Sequence, residues 1–130
     1  MGDNVFYGCI NLKNAVINAK AKTIGTLFWG CEKLEYVSFG EGIEMLGDTT
    51  ICELNSLKRV SLPSTIKFIN RYNFDYSYKL DNLEIIYNGT VAGWQAVERE
   101  YIIFLGKPIL VHCIDGDCVD SPNKQQTIFK

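Results

Sequence analysis

The sequence has no run of about 18 apolar residues, so no segment predicts a membrane-spanning helix. It also has no excess of positive charge, because 15 acidic residues outweigh 13 basic ones and leave a net charge of −2. A nucleic-acid partner is therefore not expected, since such a partner requires a basic footprint. Residues 1–20 contain no continuous apolar core, so no signal peptide is visible. The length and the ordinary share of apolar residues predict one folded domain spanning residues 1–130.

Apolar residues recur every 22 or 23 positions. One set lies between residues 28 and 39: Phe28, Cys31, Leu34, Val37 and Phe39. Its counterparts, each 23 residues later, are Ile51, Leu54, Leu57, Val60 and Leu62. A period of this size indicates stacked repeats, and leucine-rich repeats have periods of 20–29 residues. We therefore expect equivalent residues to lie in vertical files, one of which is Phe6, Phe28, Ile51 and Phe74.

Each repeat ends in a short segment in which apolar and polar residues alternate, as they do in a strand. Stacking places these strands side by side in a parallel sheet, about 4.8 Å apart. The predicted fold is a leucine-rich repeat solenoid, α/β or mainly β, with about four coils over residues 6–87. In the fourth coil, steps of 23 place Leu83 on Val60 and Ile85 on Leu62. Gly25 and Gly47 occupy equivalent positions, where we expect left-handed backbone.

The string IGTLFWGCEKLEYVSF, at residues 24–39, resembles the BspA-type leucine-rich repeat of bacterial surface proteins, whose pattern is roughly IGxxAFxxCxxLxxVxL. The resemblance covers about residues 6–87. The strings NGTVAGW (88–94) and VHCIDGD (111–117) are similar to the segment that often ends such arrays. The resemblance implies a non-catalytic binding or adhesion module, secreted or at the cell surface, whose partner is a protein or a glycan.

The repeat pattern changes after residue 87, and residues 88–119 predict a C-terminal cap. One helical face is formed by Val91, Trp94, Val97 and Tyr101. Thr90 is the predicted N-cap of this helix, and Trp94 is expected to close the end of the core. Alternation of residues on the two sides of Val111 predicts a strand over residues 109–114 that extends the sheet. Residues 120–130 are expected to form a polar tail.

The five cysteines are Cys9, Cys31, Cys52, Cys113 and Cys118, an odd number without a CxxC cluster. They therefore do not form a typical disulfide or zinc framework. Cys9 and Cys31 occupy equivalent positions in adjacent coils, and Leu54 occupies this position in the next coil. A position that accepts either cysteine or leucine indicates a buried apolar site. A vertical disulfide between Cys9 and Cys31 is the alternative interpretation.

No constellation for catalysis or for metal binding is predicted. His112 and Cys113 are neighbours in a strand and face opposite sides, so they cannot form a nucleophile pair. The segment Asp115–Asp117 lacks the further oxygen ligands of a calcium loop and is expected to be a turn. Carboxylates are scattered, and no pair is expected to converge in a pocket. With no phosphate-binding glycine loop, neither a cofactor nor an enzymatic activity is predicted.

The candidate binding residues are the outward positions of the strands. The first predicted ladder is Asn14, Tyr36, Arg59 and Asn82, and the second contains Ser38, Ser61 and Glu84. Solenoids bind partners on such concave ladders, and tyrosine and arginine often dominate binding energy at interfaces. The alternative is that these residues are simply solvated. Tyr7 and Trp29 lie one coil apart and form a second candidate contact site for a partner. The alternative is that both side chains are half-buried against the turn.

Two functional hypotheses follow. In the first, the concave face binds a protein or a glycan. In the second, the chain is a purely structural set of C-terminal repeats and cap within a longer solenoid, or pairs with itself through an open first coil. Residues 1–5 offer no polar cap, and terminal repeats require one for solubility, so a homo-oligomer through this coil is part of the second hypothesis.

Overall fold

The computed structural model describes residues 9–18, 20–25, 27–28, 30–47, 54–70, 83–99 and 109–120. Within these ranges the chain forms ten short strands and one short helix. In chain order they are β1 (Asn14–Ile17), β2 (Thr23–Ile24), β3 (Tyr36–Phe39), β4 (Met45–Leu46), β5 (Arg59–Leu62), β6 (Phe68–Ile69), β7 (Glu84–Tyr87), α1 (Val91–Ala96), β8 (Glu98–Arg99), β9 (Ile109–Cys113) and β10 (Gly116–Asp120).

The strands form two sheets, one on each side of the core. The six-stranded sheet has the order β1-β3-β5-β7-β9-β10, and the four-stranded sheet has the order β2-β4-β6-β8. All neighbouring strands are parallel except β9 and β10, which form an antiparallel hairpin. Each pass of the chain therefore contributes one strand to each sheet before it returns, which is the stacked solenoid that the repeat period predicts.

The predicted files of the first three coils are confirmed wherever the structure describes them. Val37 pairs with Ala15 on one side and Val60 on the other, and Val60 pairs in turn with Ile85. These residues and their equivalents point inward, and the core includes Ile17, Phe28, Leu34, Phe39, Leu46, Leu62 and Ile69, all buried. Phe6, Ile51 and Phe74 lie outside the described residues. Of the file that they are predicted to form with Phe28, the structure therefore describes Phe28 alone.

The predicted spacing of the fourth coil is wrong by two residues. Leu62 pairs with Tyr87, 25 residues later, and Val60 pairs with Ile85 rather than with Leu83. A slip of two residues keeps the same side chains on the inward face, because side chains alternate with a period of two. The observed register buries the Tyr87 ring, and its hydroxyl donates to the Ser64 carbonyl at 3.3 Å.

The left-handed backbone predicted at Gly47 is also wrong, because no positive φ occurs there. The reason for glycine is a close approach instead. A Cβ at Gly47 would lie 3.1 Å from the carbonyl oxygen of Ile24 in the coil below. Among the described glycines, positive φ angles occur at Gly30, Gly42 and Gly116, and Gly42 occupies the turn that follows β3.

The helix after β7 is shorter than predicted. Thr90 is its N-cap, as expected, and accepts a hydrogen bond from the Gly93 amide at 3.0 Å. However, α1 ends at Ala96, and β8 follows at once and pairs with β6. Beyond this end, the buried guanidinium of Arg99 donates to the carbonyls of Trp94 and Val97, at 2.6 and 2.9 Å.

Trp94 is fully buried and contacts the Tyr87 ring at 5.5 Å between centroids. It is not the outermost layer, however, because β9 and β10 continue the six-stranded sheet beyond β7. The predicted strand over residues 109–114 is confirmed as β9, which ends one residue earlier, at Cys113. The Asp115 carboxylate joins the hairpin turn to α1 by accepting from the Val91 amide at 2.8 Å.

Candidate functional site

The outward side of the six-stranded sheet, which we call the ladder face, carries the predicted binding residues. Its first row is Asn14, Tyr36, Arg59, Glu84, Leu110 and Val119. Its second row is Val16, Ser38, Ser61, Ile86, His112 and Asp117. The alternation of short parallel strands places both rows on one side, because inward residues occupy the positions between them.

The two predicted ladders are only partly correct. Tyr36 lies between Asn14 and Arg59, and Ser38 lies opposite Ser61, as expected. Glu84, however, belongs beside Arg59 in the first row rather than beside Ser61, because the fourth coil is two residues longer than predicted. Asn82, Tyr7 and Trp29 lie outside the described residues.

A groove of about 290 Å³ crosses the ladder face over β1, β3 and β5. The side chains that line it are Asn14, Val16, Tyr36, Ser38, Arg59 and Ser61. Val16 is 67% exposed and Tyr36 is 40% exposed. We call this region the Tyr36–Arg59 groove. It combines an exposed apolar end with hydroxyl groups and one cation.

The cation at this groove lies against an aromatic ring. The Arg59 guanidinium lies over the Tyr36 ring, 5.9 Å from its centroid, which is a cation–π geometry. Its cross-strand neighbour Glu84 would be a natural ion-pair partner. Instead, the Glu84 carboxylate contacts His112, and no carboxylate in the described part of the chain forms an ion pair with Arg59.

His112 lies between two carboxylates at the other end of the ladder face. Its Nε2 is 3.0 Å from Glu84 Oε2, and its Nδ1 is 2.9 Å from Asp117 Oδ1. The hydrogen bond with Asp117, together with its charge and the Glu84 contact, raises the pKa of His112 above its ordinary value. We call these three residues the His112 cluster.

The sequence does not predict that two carboxylates converge on His112, and the three side chains are partly exposed rather than enclosed in a pocket. Glu84 was placed one row from its true position, and no register was predicted between β9 and the fourth coil. Asp117 reaches the cluster only because β10 folds back on β9, so that Asp117 pairs with His112. The pattern His112-x-x-x-x-Asp117 around a two-residue turn is the signal that identifies this second contact.

The neighbouring thiol is not an activated nucleophile. Burial, followed by the proximity of Cys118, raises the pKa of Cys113 to about 11, so the thiol is protonated near neutral pH. At the other end of the chain, Cys31 is buried, as predicted, and its thiol contacts that of Cys9 without a disulfide. Within the described ranges, no group of three or more His, Cys, Asp and Glu side chains is arranged to hold a metal ion.

Among the described residues, no helix is long and apolar enough to cross a membrane. Comparison with curated proteins and with solved structures found no match. Comparison with protein families found the BspA type leucine-rich repeat region, in six copies, over residues 1–115. This match extends beyond the resemblance at residues 6–87 and includes β9 and its hairpin turn. The chain is therefore a member of the BspA-type leucine-rich repeat family, a solenoid of repeats that often serves for protein binding and is generally non-catalytic.

Proposed function

We propose that this chain is a non-catalytic protein-binding module, and that its partner lies across the ladder face at the Tyr36–Arg59 groove. The observation that carries the proposal is the Arg59 guanidinium, which is held over Tyr36 and is not paired with a carboxylate of the described chain. Arginine and tyrosine presented together, beside the exposed Val16 side chain, are the residue types that most often supply binding energy at protein interfaces.

A protein partner is favoured over a glycan by the geometry of Tyr36. Sugar rings bind aromatic side chains by stacking on the open face of the ring. Here the Arg59 guanidinium occupies one face of Tyr36 and the groove floor consists of the strands themselves. The remaining elements of the groove, an apolar side chain and a cation, match a peptide segment with an apolar and an acidic side chain.

The experiment begins with partner identification by photo-cross-linking from position 16, followed by affinity measurements with the purified partner. The double substitution Tyr36→Ala/Arg59→Ala is expected to weaken binding at least about tenfold. The matched control is Lys22→Ala/Lys67→Ala, which removes two exposed cations near the four-stranded sheet and should leave affinity unchanged.

If the double variant keeps its melting temperature and binds with unchanged affinity, the partner does not bind at the ladder face. If the ligand proves to be a glycan, and if Tyr36→Ala alone abolishes its binding, the proposal of a protein partner is wrong. A dimer in light scattering that the Tyr36→Ala/Arg59→Ala variant dissociates would identify a second copy of the chain as the partner.

A further inference from the structure

Arg59 and Glu84 lie opposite each other on neighbouring strands and point to the same side of the sheet. Oppositely charged residues in that arrangement ordinarily form an ion pair. Here they do not, because Glu84 Oε2 lies 3.0 Å from His112 Nε2 instead. The carboxylate opposite the cation of the groove therefore contacts His112 instead of Arg59.

The contacts of His112 require its protonated form. Ionised carboxylates only accept hydrogen bonds, and a neutral imidazole has a single N–H group. Two carboxylates, one at each ring nitrogen, are therefore both satisfied only by imidazolium. Loss of one proton must leave a lone pair of the ring facing one of the carboxylates.

We propose that the Tyr36–Arg59 groove binds an acidic segment of the partner protein, and that His112 is a positioning residue that opens the groove by holding Glu84 away from Arg59. This inference rests on the proposed function of the ladder face. The segment presents one carboxylate to Arg59 and one apolar side chain to Val16 and the Tyr36 ring edge. Glu84 is an internal competitor for the same guanidinium.

In the part of the chain that the structure describes, the charged and titratable groups that face His112 are Glu84 from β7 and Asp117 from β10. Asp117 is the stronger influence on the His112 proton. When the ring becomes neutral, the remaining proton stays between Nδ1 and Asp117, so the Nε2 lone pair faces Glu84. The Glu84 carboxylate then leaves and pairs with Arg59 across the strands. The groove is open below the pKa of His112, which is raised, and is occupied by Glu84 above it.

The change in affinity for the acidic segment that Glu84 causes is expected to be small, and its direction is a weakening. An exposed cross-strand ion pair contributes little, so competition by Glu84 should weaken binding of an acidic segment about two- to fivefold. Loss of Arg59 itself is expected to have a larger effect, about tenfold.

The probe is a set of peptides selected at about pH 6 from a random heptapeptide library displayed on phage. Selection on the intact chain is expected to enrich aspartate or glutamate next to a large apolar residue, and the synthesised peptides should lose about tenfold in affinity with Arg59→Ala. Between about pH 6 and 8.5, affinity for the wild-type chain should fall about two- to fivefold.

Variants of the His112 cluster separate the switch from the groove. His112→Leu should bind weakly at all pH values, since leucine cannot donate to Glu84. Glu84→Gln should bind with no dependence on pH, and Glu84→Gln in the His112→Leu background should restore affinity. The matched control is Glu44→Gln, which removes the same charge near the four-stranded sheet and should not restore binding in that background.

Each outcome is decisive once melting curves show that the variants are folded. Weak binding by His112→Leu that Glu84→Gln restores supports the inference. If His112→Leu binds as the wild type does, or if Glu84→Gln keeps the pH dependence, the switch is refuted while the binding face stands. Peptides without acidic residues, still sensitive to Tyr36→Ala, overturn the acidic segment alone. Peptides insensitive to both Tyr36→Ala and Arg59→Ala overturn the proposed function as well.

Discussion

The two faces of the six-stranded sheet can be compared with one residue type. Val60 points inward between Val37 and Ile85 and is completely buried. Val16 lies in the same sheet, points outward and is 67% exposed. Substitution of each by alanine removes the same two methyl groups, so any difference in stability comes from the environment of the side chain.

The expected cost of Val60→Ala has two parts. Two buried methyl groups contribute about 1.6 kcal/mol of lost transfer free energy. The cavity left between two neighbouring coils adds roughly 1 kcal/mol, because strands hydrogen-bonded on both sides cannot close around it. The free energy of unfolding should therefore fall by about 2.5 kcal/mol for Val60→Ala and by less than about 0.5 kcal/mol for Val16→Ala.

Urea unfolding followed by circular dichroism measures both values. With a slope of about 2 kcal/mol per molar urea, Val60→Ala should lower the midpoint by about 1 M, and Val16→Ala should leave it nearly unchanged. Equal shifts, or a larger shift for Val16→Ala, would refute the assignment of inward and outward faces. A changed slope in either variant would show that the coils no longer unfold together.

Further outcomes are expected at the coil contacts and the His112 cluster. Gly47→Val should lower stability by roughly 1–3 kcal/mol, because its side chain would meet the Ile24 carbonyl, and thermal melts should show the loss. Arg99→Met should cost roughly 2–3 kcal/mol, because two buried backbone carbonyls lose a charged donor, and Arg99→Lys should not restore it, since lysine lacks the planar fork. The pKa of His112 is raised on folding, so its stabilising effect is complete below about pH 6.5 and disappears as pH rises through the folded-state value. As pH rises from about 6.5 through the folded-state pKa of His112, the melting temperature of the wild type should therefore fall more than that of His112→Leu.

The stacking of coils was predictable from the sequence because burial repeats along the chain. Phe39 lies over Ile17, as the 22-residue step requires, and both side chains are buried. What the sequence did not determine is the length of the fourth coil. Leu83, Ile85 and Tyr87 alternate on one face, so registers that differ by two residues bury nearly the same set of side chains.

The same ambiguity explains the partial prediction of the candidate site. The Tyr36–Arg59 neighbour relation depends on coils of regular length and was predicted correctly. The His112 cluster depends on the longer coil and on a strand reversal, and each of these brings one carboxylate to the ring. A repeat pattern describes parallel stacking alone, so it contains no information about an antiparallel return such as that of Asp117.

The His112 cluster also has a consequence for calorimetry. An imidazole that is largely neutral in the denatured chain at pH 7 becomes more protonated on folding, because folding raises its pKa. Folding near neutrality is therefore coupled to uptake of part of a proton from the solution, and the buffer must release it. The heat measured for refolding should then include the ionisation enthalpy of the buffer, and it should differ between phosphate and Tris although the protein undergoes the same transition.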